Sequence, residues 1–311
     1  MQEIIDLINS KKTSEKIPPE SFIKIQQEPG SILFVDGGNA ELATTPEFSI
    51  HFVRVAGILF NGKEKTKTDI SEFYAYFHLE RVGEKLVIKT KILPVRGSNI
   101  ADENQFVFYL MNQEFSSFAN AVRRAAEINL ACNLAKRLGK NSIIVLDGSL
   151  ETKSDIEKSA MEKLRSFAKE NGTHLCALSK TTAIVSYSGE SLPFLVNKCA
   201  PDDRCCLPVS DSGIFQTFFL KLHPNSGYIF RCDILPETSK DIFGALAFVS
   251  NDPVFLGYPY GLIEADKIAR VSNREREILR MEFAAKLGKN WLDLEDKEKA
   301  VNAHEILDNI L

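Results

Sequence analysis

Two apolar runs in this chain end in the same way: SILFVDGGNAE at positions 31–41 and NSIIVLDGSLE at positions 141–151. Both are rich in β-branched residues, and both stop at an aspartate followed by glycine. Each therefore reads as a buried strand that ends in a turn, at Asp36 or Asp147. Runs this apolar demand a sheet covered by other elements, which restricts the chain to a layered fold. They also deliver two carboxylates to the rim of that sheet on rigid supports. Carboxylates from two distant segments can share one or two metal ions, the arrangement that metal-dependent phosphodiester chemistry requires.

The rest of the chain fits around these strands. Residues 2–10 read as a short amphipathic helix, broken by Pro18 and Pro19. Strands are expected at 31–36 and 48–60, with Asn61-Gly62 as a hairpin signal, and at 71–80 and 86–94 around a turn at Gly83. This makes an antiparallel meander. Residues 113–138 carry an apolar stripe at helical spacing (Phe115, Phe118, Val122, Leu130, Leu134), and Gly139 suits a helix C-terminus. A strand at 142–147 and a charged amphipathic helix at 153–170 follow. HLCALS (174–179) and AIVSYS (183–188) read as strands, and IFQTFFLKL and YIFRCDIL as a hairpin across His223–Gly227. Helices are expected at about 239–249, 260–271, 274–286 and 293–310. The fold class is α/β, a mixed sheet flanked by helices with a helical C-terminal tail.

Composition narrows the function classes. With 311 residues, 44% hydrophobic and 26% charged, the chain is of ordinary globular type. No apolar run approaches the roughly 20 residues of a membrane helix. MQEIIDLINSKK lacks the basic start and continuous apolar core of a signal peptide, so a cytoplasmic location is expected. The six cysteines match no zinc spacing and read as free structural thiols, and the five histidines form no i, i+4 pair. A net charge of −4 argues against nucleic-acid binding over the whole surface. It leaves room for a local basic groove, since active-site carboxylates themselves contribute the negative charge.

A ribonuclease-H-like nuclease takes one carboxylate from the first strand of its meander, another from a helix and a third from the next strand. Asp36, Glu127 and Asp147 stand in that order. The pieces FVDGG (34–38), AAEINLA around Glu127, VLDGSL (145–150), ALSKT (177–181) and GYPYGLIEADKIARVS (257–272) together resemble the NurA family of DNA-repair nucleases. The resemblance spans about residues 30–272. It implies a ribonuclease-H-like nuclease domain at 31–272, between an N-terminal helical segment (1–30) and C-terminal helices (273–311). It further implies a manganese-dependent 5′-to-3′ exonuclease and single-strand endonuclease, acting as a dimer in end resection at double-strand breaks with the HerA hexameric ATPase. Metal-ligand roles pass to Asp36, Glu127 and Asp147, and active-site roles to Tyr258 and Asp266. Some family members carry histidine at the last position; aspartate is a harder oxygen ligand and suits manganese or magnesium. Lys180 is matched to a phosphate contact.

Each residue also has a plainer reading. Asp36 and Asp147 can cap turns, Glu127 can lie on a solvated helix face, and Tyr258 can be loop packing. Asp266 can pair with Arg270 at i, i+4, Lys180 can be an exposed loop lysine, and Arg123 and Arg124 read best as a solvated face. Two other function classes remain open at this point. Actin-like ATPases and sugar kinases also use Asp-Gly turns after strands to transfer phosphoryl groups, and a non-catalytic scaffold could tether DNA to an ATPase.

Overall fold

The structure, a computed structural model, describes residues 1, 4–5, 15–95, 105–109 and 114–301. In chain order its elements are β1 (Ile23–Lys24), β2 (Ser31–Thr44), β3 (Phe48–Asn61), β4 (Glu64–Val82), β5 (Lys85–Pro94) and β6 (Gln105–Tyr109), then helix α1 (Phe115–Ala135), β7 (Ile143–Asp147), α2 (Asp155–Asn171), β8 (His174–Ser179), α3 (Leu192–Cys199), β9 (Cys205–Asp211), β10 (Gln216–Lys221) and β11 (Phe230–Ile234), and finally α4 (Ile242–Phe248), α5 (Tyr260–Ala269), α6 (Asn273–Leu287) and α7 (Lys289–Val301). The described strands form one 11-stranded mixed sheet in the order β1-β9-β10-β11-β8-β7-β2-β3-β4-β5-β6.

The centre of this sheet is the antiparallel meander β2–β3–β4, after which α1 crosses over to β7 and α2 to β8. Both β7 and β8 run parallel to β2. This is the connectivity expected of a ribonuclease-H-like core. Its three central parallel strands are buried on both faces, which is why they read as continuous apolar runs. Ile32, Phe34 and Val145 face α4 and α5 on one side. Leu33, Val35 and Ile144 face α1 and α2 on the other. α6 and α7 cover the far half of the meander, where Trp291 and Leu294 pack on Ala43, and Arg54 joins β3 to α6 through Glu275.

Several expectations need correction. β2 does not turn after Asp36 but runs on to Thr44, paired with β3 throughout. Gly37 and Gly38 are needed for close approach instead. A Cβ on Gly37 would lie 2.6 Å from the Glu127 carboxylate, and one on Gly38 would collide with the carbonyl of Ala269 on α5. Gly148, by contrast, does make the expected turn, with φ +93°. AIVSYS is not a strand; a single bridge between Val185 and Ser191 closes a tight loop there. Reasoning from sequence also missed α3, β6 and β9. β9 contains Pro208, beside a register shift that a proline in a strand commonly accompanies. The helix expected at 2–10, apart from residues 4 and 5, and the part of the last helix beyond residue 301 lie outside the described residues. No helix among the described residues is long and apolar enough to cross a membrane.

Candidate active site

The site forms where a long strand outlasts its neighbour. Parallel pairing between β2 and β7 runs from Ile32–Ile143 to Val35–Leu146 and then stops. Asp36 and Asp147 are the next residues on the two strands, so they share a face at adjacent positions on the sheet. β8 brings Ser179 and then Lys180 to the same edge. The carboxyl ends of parallel strands are where α/β sheets commonly hold ligands. A cavity of about 920 Å³ opens there, lined by Asp36, Glu127, Asp147, Lys180, Arg124 and Arg231 among others.

Asp36 is 6% exposed. Burial, reinforced by the charges of Asp147 and Glu127, pushes its carboxyl up to about 7. Asp147 is fixed from two sides: the Tyr258 hydroxyl donates to Oδ1 at 3.1 Å, and Lys180 Nζ lies 3.3 Å from Oδ2. Tyr258 is itself buried, its ring centroid 5.0 Å from that of Phe230. Burial and the adjacent Asp147 raise its pKa far above the usual tyrosine value, so it stays a hydrogen-bond donor. Lys180 bridges onward to Asp266, 3.2 Å away. Burial disfavours the Lys180 charge, but Asp147 and Asp266 outweigh it and hold its pKa above the ordinary lysine value. Asp266 also accepts from Arg270 at 2.7 Å, and the two cations together keep it below the usual carboxylate range despite partial burial. The surface-pair reading of Asp266 with Arg270 is therefore correct but incomplete.

Glu127 reaches the site from the opposite face of the sheet. It is 1% exposed, and burial raises its pKa against the opposing charges of Arg123 and Arg124. Arg123 donates to its Oε1, and Arg124 lies 2.7 Å from Oε2. These arginines are not a solvated face. Arg124 also donates to the carbonyls of Asp147 and Ser149, at 2.7 and 2.6 Å, and Arg123 to the carbonyl of Gly37 at 2.9 Å. They tie the helical glutamate to the backbone of both carboxylate-bearing segments. Their i, i+3 and i, i+4 spacing from Glu127 is the sequence signal that would have found the pairing.

Two further supports were not anticipated. Ser179 donates to the carbonyl of Gly148 at 2.6 Å. Asp233, fully buried on β11, accepts from the backbone N–H of Leu150 at 3.2 Å and is paired with Arg231 at 2.9 Å. The turn after Asp147 is thus held at Gly148, Ser149 and Leu150. The signal for Asp233 was a charge inside an otherwise apolar strand, YIFRCDIL.

Among the described residues no three carboxylate, imidazole or thiol side chains are grouped so as to hold one ion between them. Glu127 is engaged by two arginines, and Asp266 is separated from Asp147 by Lys180. Asp36 and Asp147 are the two carboxylates that could hold a metal, with Lys180 already shared at Asp147. Manganese and magnesium suit a site of one or two carboxylates completed by water and substrate phosphate. The upward push on Asp36 comes first from burial and then from the charges of Asp147 and Glu127, and a divalent cation would offset the second part.

No family model matches the chain, and no curated protein matches it in sequence. Solved structures do. The NurA nuclease from Sulfolobus solfataricus superposes with a TM-score of 0.59 over 93% of this chain and 94% of that one, at 14% identity. The chain has the NurA fold. A second NurA crystal structure matches with a TM-score of 0.50 over 88% of this chain and 92% of that one, at 8% identity. At such identity the likeness speaks for the NurA fold alone, and the chemistry rests on the site.

Proposed function

We propose that this chain is a metal-dependent DNA nuclease, with manganese or magnesium held between Asp36 and Asp147. One observation carries the reading: two carboxylates at adjacent positions on parallel strands, one of them pushed up to about 7 by burial and by its carboxylate neighbours. The NurA fold supports it, because the solved neighbour of that fold is named a nuclease.

When bound, the metal supplies positive charge to the scissile phosphate and lowers the pKa of an attacking water. The residues of the chain bind and orient. Tyr258 fixes the rotamer of Asp147 through its hydroxyl. Lys180 holds a cation between Asp147 and Asp266 and can transfer its hydrogen bonds to a phosphate that displaces them. Arg124 links Glu127 to the Asp147 backbone, so that helix α1 sets the position of the strand end. Residues 31–272 serve as the nuclease domain, between segments 1–30 and 273–311. The finer features rest on the family resemblance. They are 5′-to-3′ exonuclease and single-strand endonuclease action, a homodimer, and end resection with a HerA-type hexameric ATPase.

The test is incubation of the purified protein with labelled single-stranded and duplex DNA in manganese, magnesium or EDTA. Cleavage in a divalent metal and none in EDTA is the expected result. Equal cleavage in EDTA, or none under any condition, contradicts the reading.

A further inference from the structure

The loop that leaves the site at Lys180 first lines the cavity, through Thr181, Thr182, Ala183 and Ile184. It then folds into a tight, internally bonded turn. Val185 bridges Ser191, Ser186 N–H donates to the Glu190 carbonyl at 2.8 Å, and Leu192 N–H donates to the Ile184 carbonyl at 3.1 Å. Gly189 adopts φ +79°, a conformation that favours glycine, and donates its N–H to the Ser186 carbonyl at 3.0 Å. At the tip stands Tyr187, fully exposed at 108%. It is three positions beyond Ile184, so its Cα lies within about 11 Å of the Cα of that wall residue. A tyrosine ring left wholly in water forgoes the burial that its apolar area would gain. This one is presented on a braced turn that directly follows the cavity-lining Ile184, two residues from the exposed Val185.

We propose that Tyr187 is a stacking platform for an unpaired base of the DNA strand that enters the cavity. The inference rests on the nuclease reading above and adds to it a substrate-binding residue outside the carboxylate cluster. Aromatic faces bind single strands by stacking and accept any base. A duplex keeps its bases stacked on one another and has none to offer. Tyr187 would therefore favour single-stranded segments and frayed ends over closed duplex. The turn is serine-rich, with Ser188 donating to Glu15 at 2.5 Å, and it carries no lysine or arginine, so the contact is to a base and not to a phosphate.

Binding, measured separately from cleavage, tests this. Fluorescent oligothymidine and a hairpin duplex with no free end are titrated in EDTA with wild type, Tyr187→Ala and Tyr187→Trp. Tyr187→Ala is expected to bind oligothymidine roughly tenfold more weakly, with hairpin binding unchanged, and Tyr187→Trp is expected to restore the wild-type value. An oligonucleotide carrying 2-aminopurine should lose fluorescence on binding wild type and Tyr187→Trp but not Tyr187→Ala. Equal affinity of wild type and Tyr187→Ala for oligothymidine overturns the proposal, as does no binding by wild type. So does equal weakening on both substrates, or a loss of self-association in Tyr187→Ala on sedimentation, which would make the tyrosine a contact between copies. Because the assay has no metal, single-strand binding without cleavage in manganese would sink the nuclease reading and leave this one standing. Cleavage with unchanged binding in Tyr187→Ala would do the reverse.

Discussion

Burial and two neighbouring carboxylates push Asp36 up to about 7, against 3.8 for an unperturbed aspartate. The native state therefore keeps a proton that the unfolded chain has already released between about pH 4 and pH 7. Where the native state binds more protons than the unfolded state, stability falls as pH rises. In EDTA, wild type should lose stability relative to Asp36→Asn across that window, by on the order of a few kcal/mol. Denaturant unfolding of both proteins at several pH values measures it, and parallel curves would contradict the shift. Asp266 carries a second expectation at this scale. It binds Lys180 inside the site and Arg270 on the surface. Asp266→Ala should therefore reduce the cleavage rate well beyond Arg270→Ala, which removes only an exposed partner. Equal and small losses would leave Asp266 as half of a surface pair.

Among the elements, the contact of α5 with β2 decides whether the site assembles. Gly38 on β2 meets the backbone of Ala269 on α5, and Gly261 on α5 meets the ring of Phe34 on β2. Neither position has room for a Cβ. Gly38→Ala and Gly261→Ala should each cost about 1–3 kcal/mol. Each should also lower activity at temperatures where the protein remains folded, because α5 carries Asp266. Thermal melts and cleavage rates check both; unchanged rates in folded variants would show that α5 can move without consequence. The sequence pattern made much of this frame legible. The two Asp-Gly runs placed β2 and β7, and helical spacing placed α1 and α2. The function of Gly37 and Gly38 was not legible, because a glycine that turns and a glycine that admits a neighbour look alike in one chain. Glu127 was legible as a helical glutamate, but its burial depends on Arg123 and Arg124 facing the same way. Ser179 was silent, and Asp233 showed only as a charge inside a strand, for a related reason: both act on the backbone of a turn distant in sequence.

For the whole molecule, charge and cavity point in different directions. The net charge of −4 predicts weak hold on long duplexes, since few phosphates are neutralised. The cations that line the cavity are largely engaged with carboxylates or carbonyls of the chain. The chain also lacks a GxxxxGK[ST] phosphate loop to drive its own movement. An ATP-driven translocase of the HerA type should therefore stimulate digestion of long duplexes far more than of short oligonucleotides. Digestion of both substrates with and without the translocase and ATP measures this, and an absence of stimulation contradicts the partnership.

The proposed function stands or falls on Asp36 and Asp147 together holding the metal that cleaves DNA. Its most direct test is the cleavage rate of Asp36→Asn and Asp147→Asn in manganese, each with circular dichroism to verify the fold. Asparagine keeps the size of the side chain and removes the charge the metal needs. Both variants should fold, with rates that fall on the order of 10³-fold or more. Folded variants that both cleave at near the wild-type rate would contradict it.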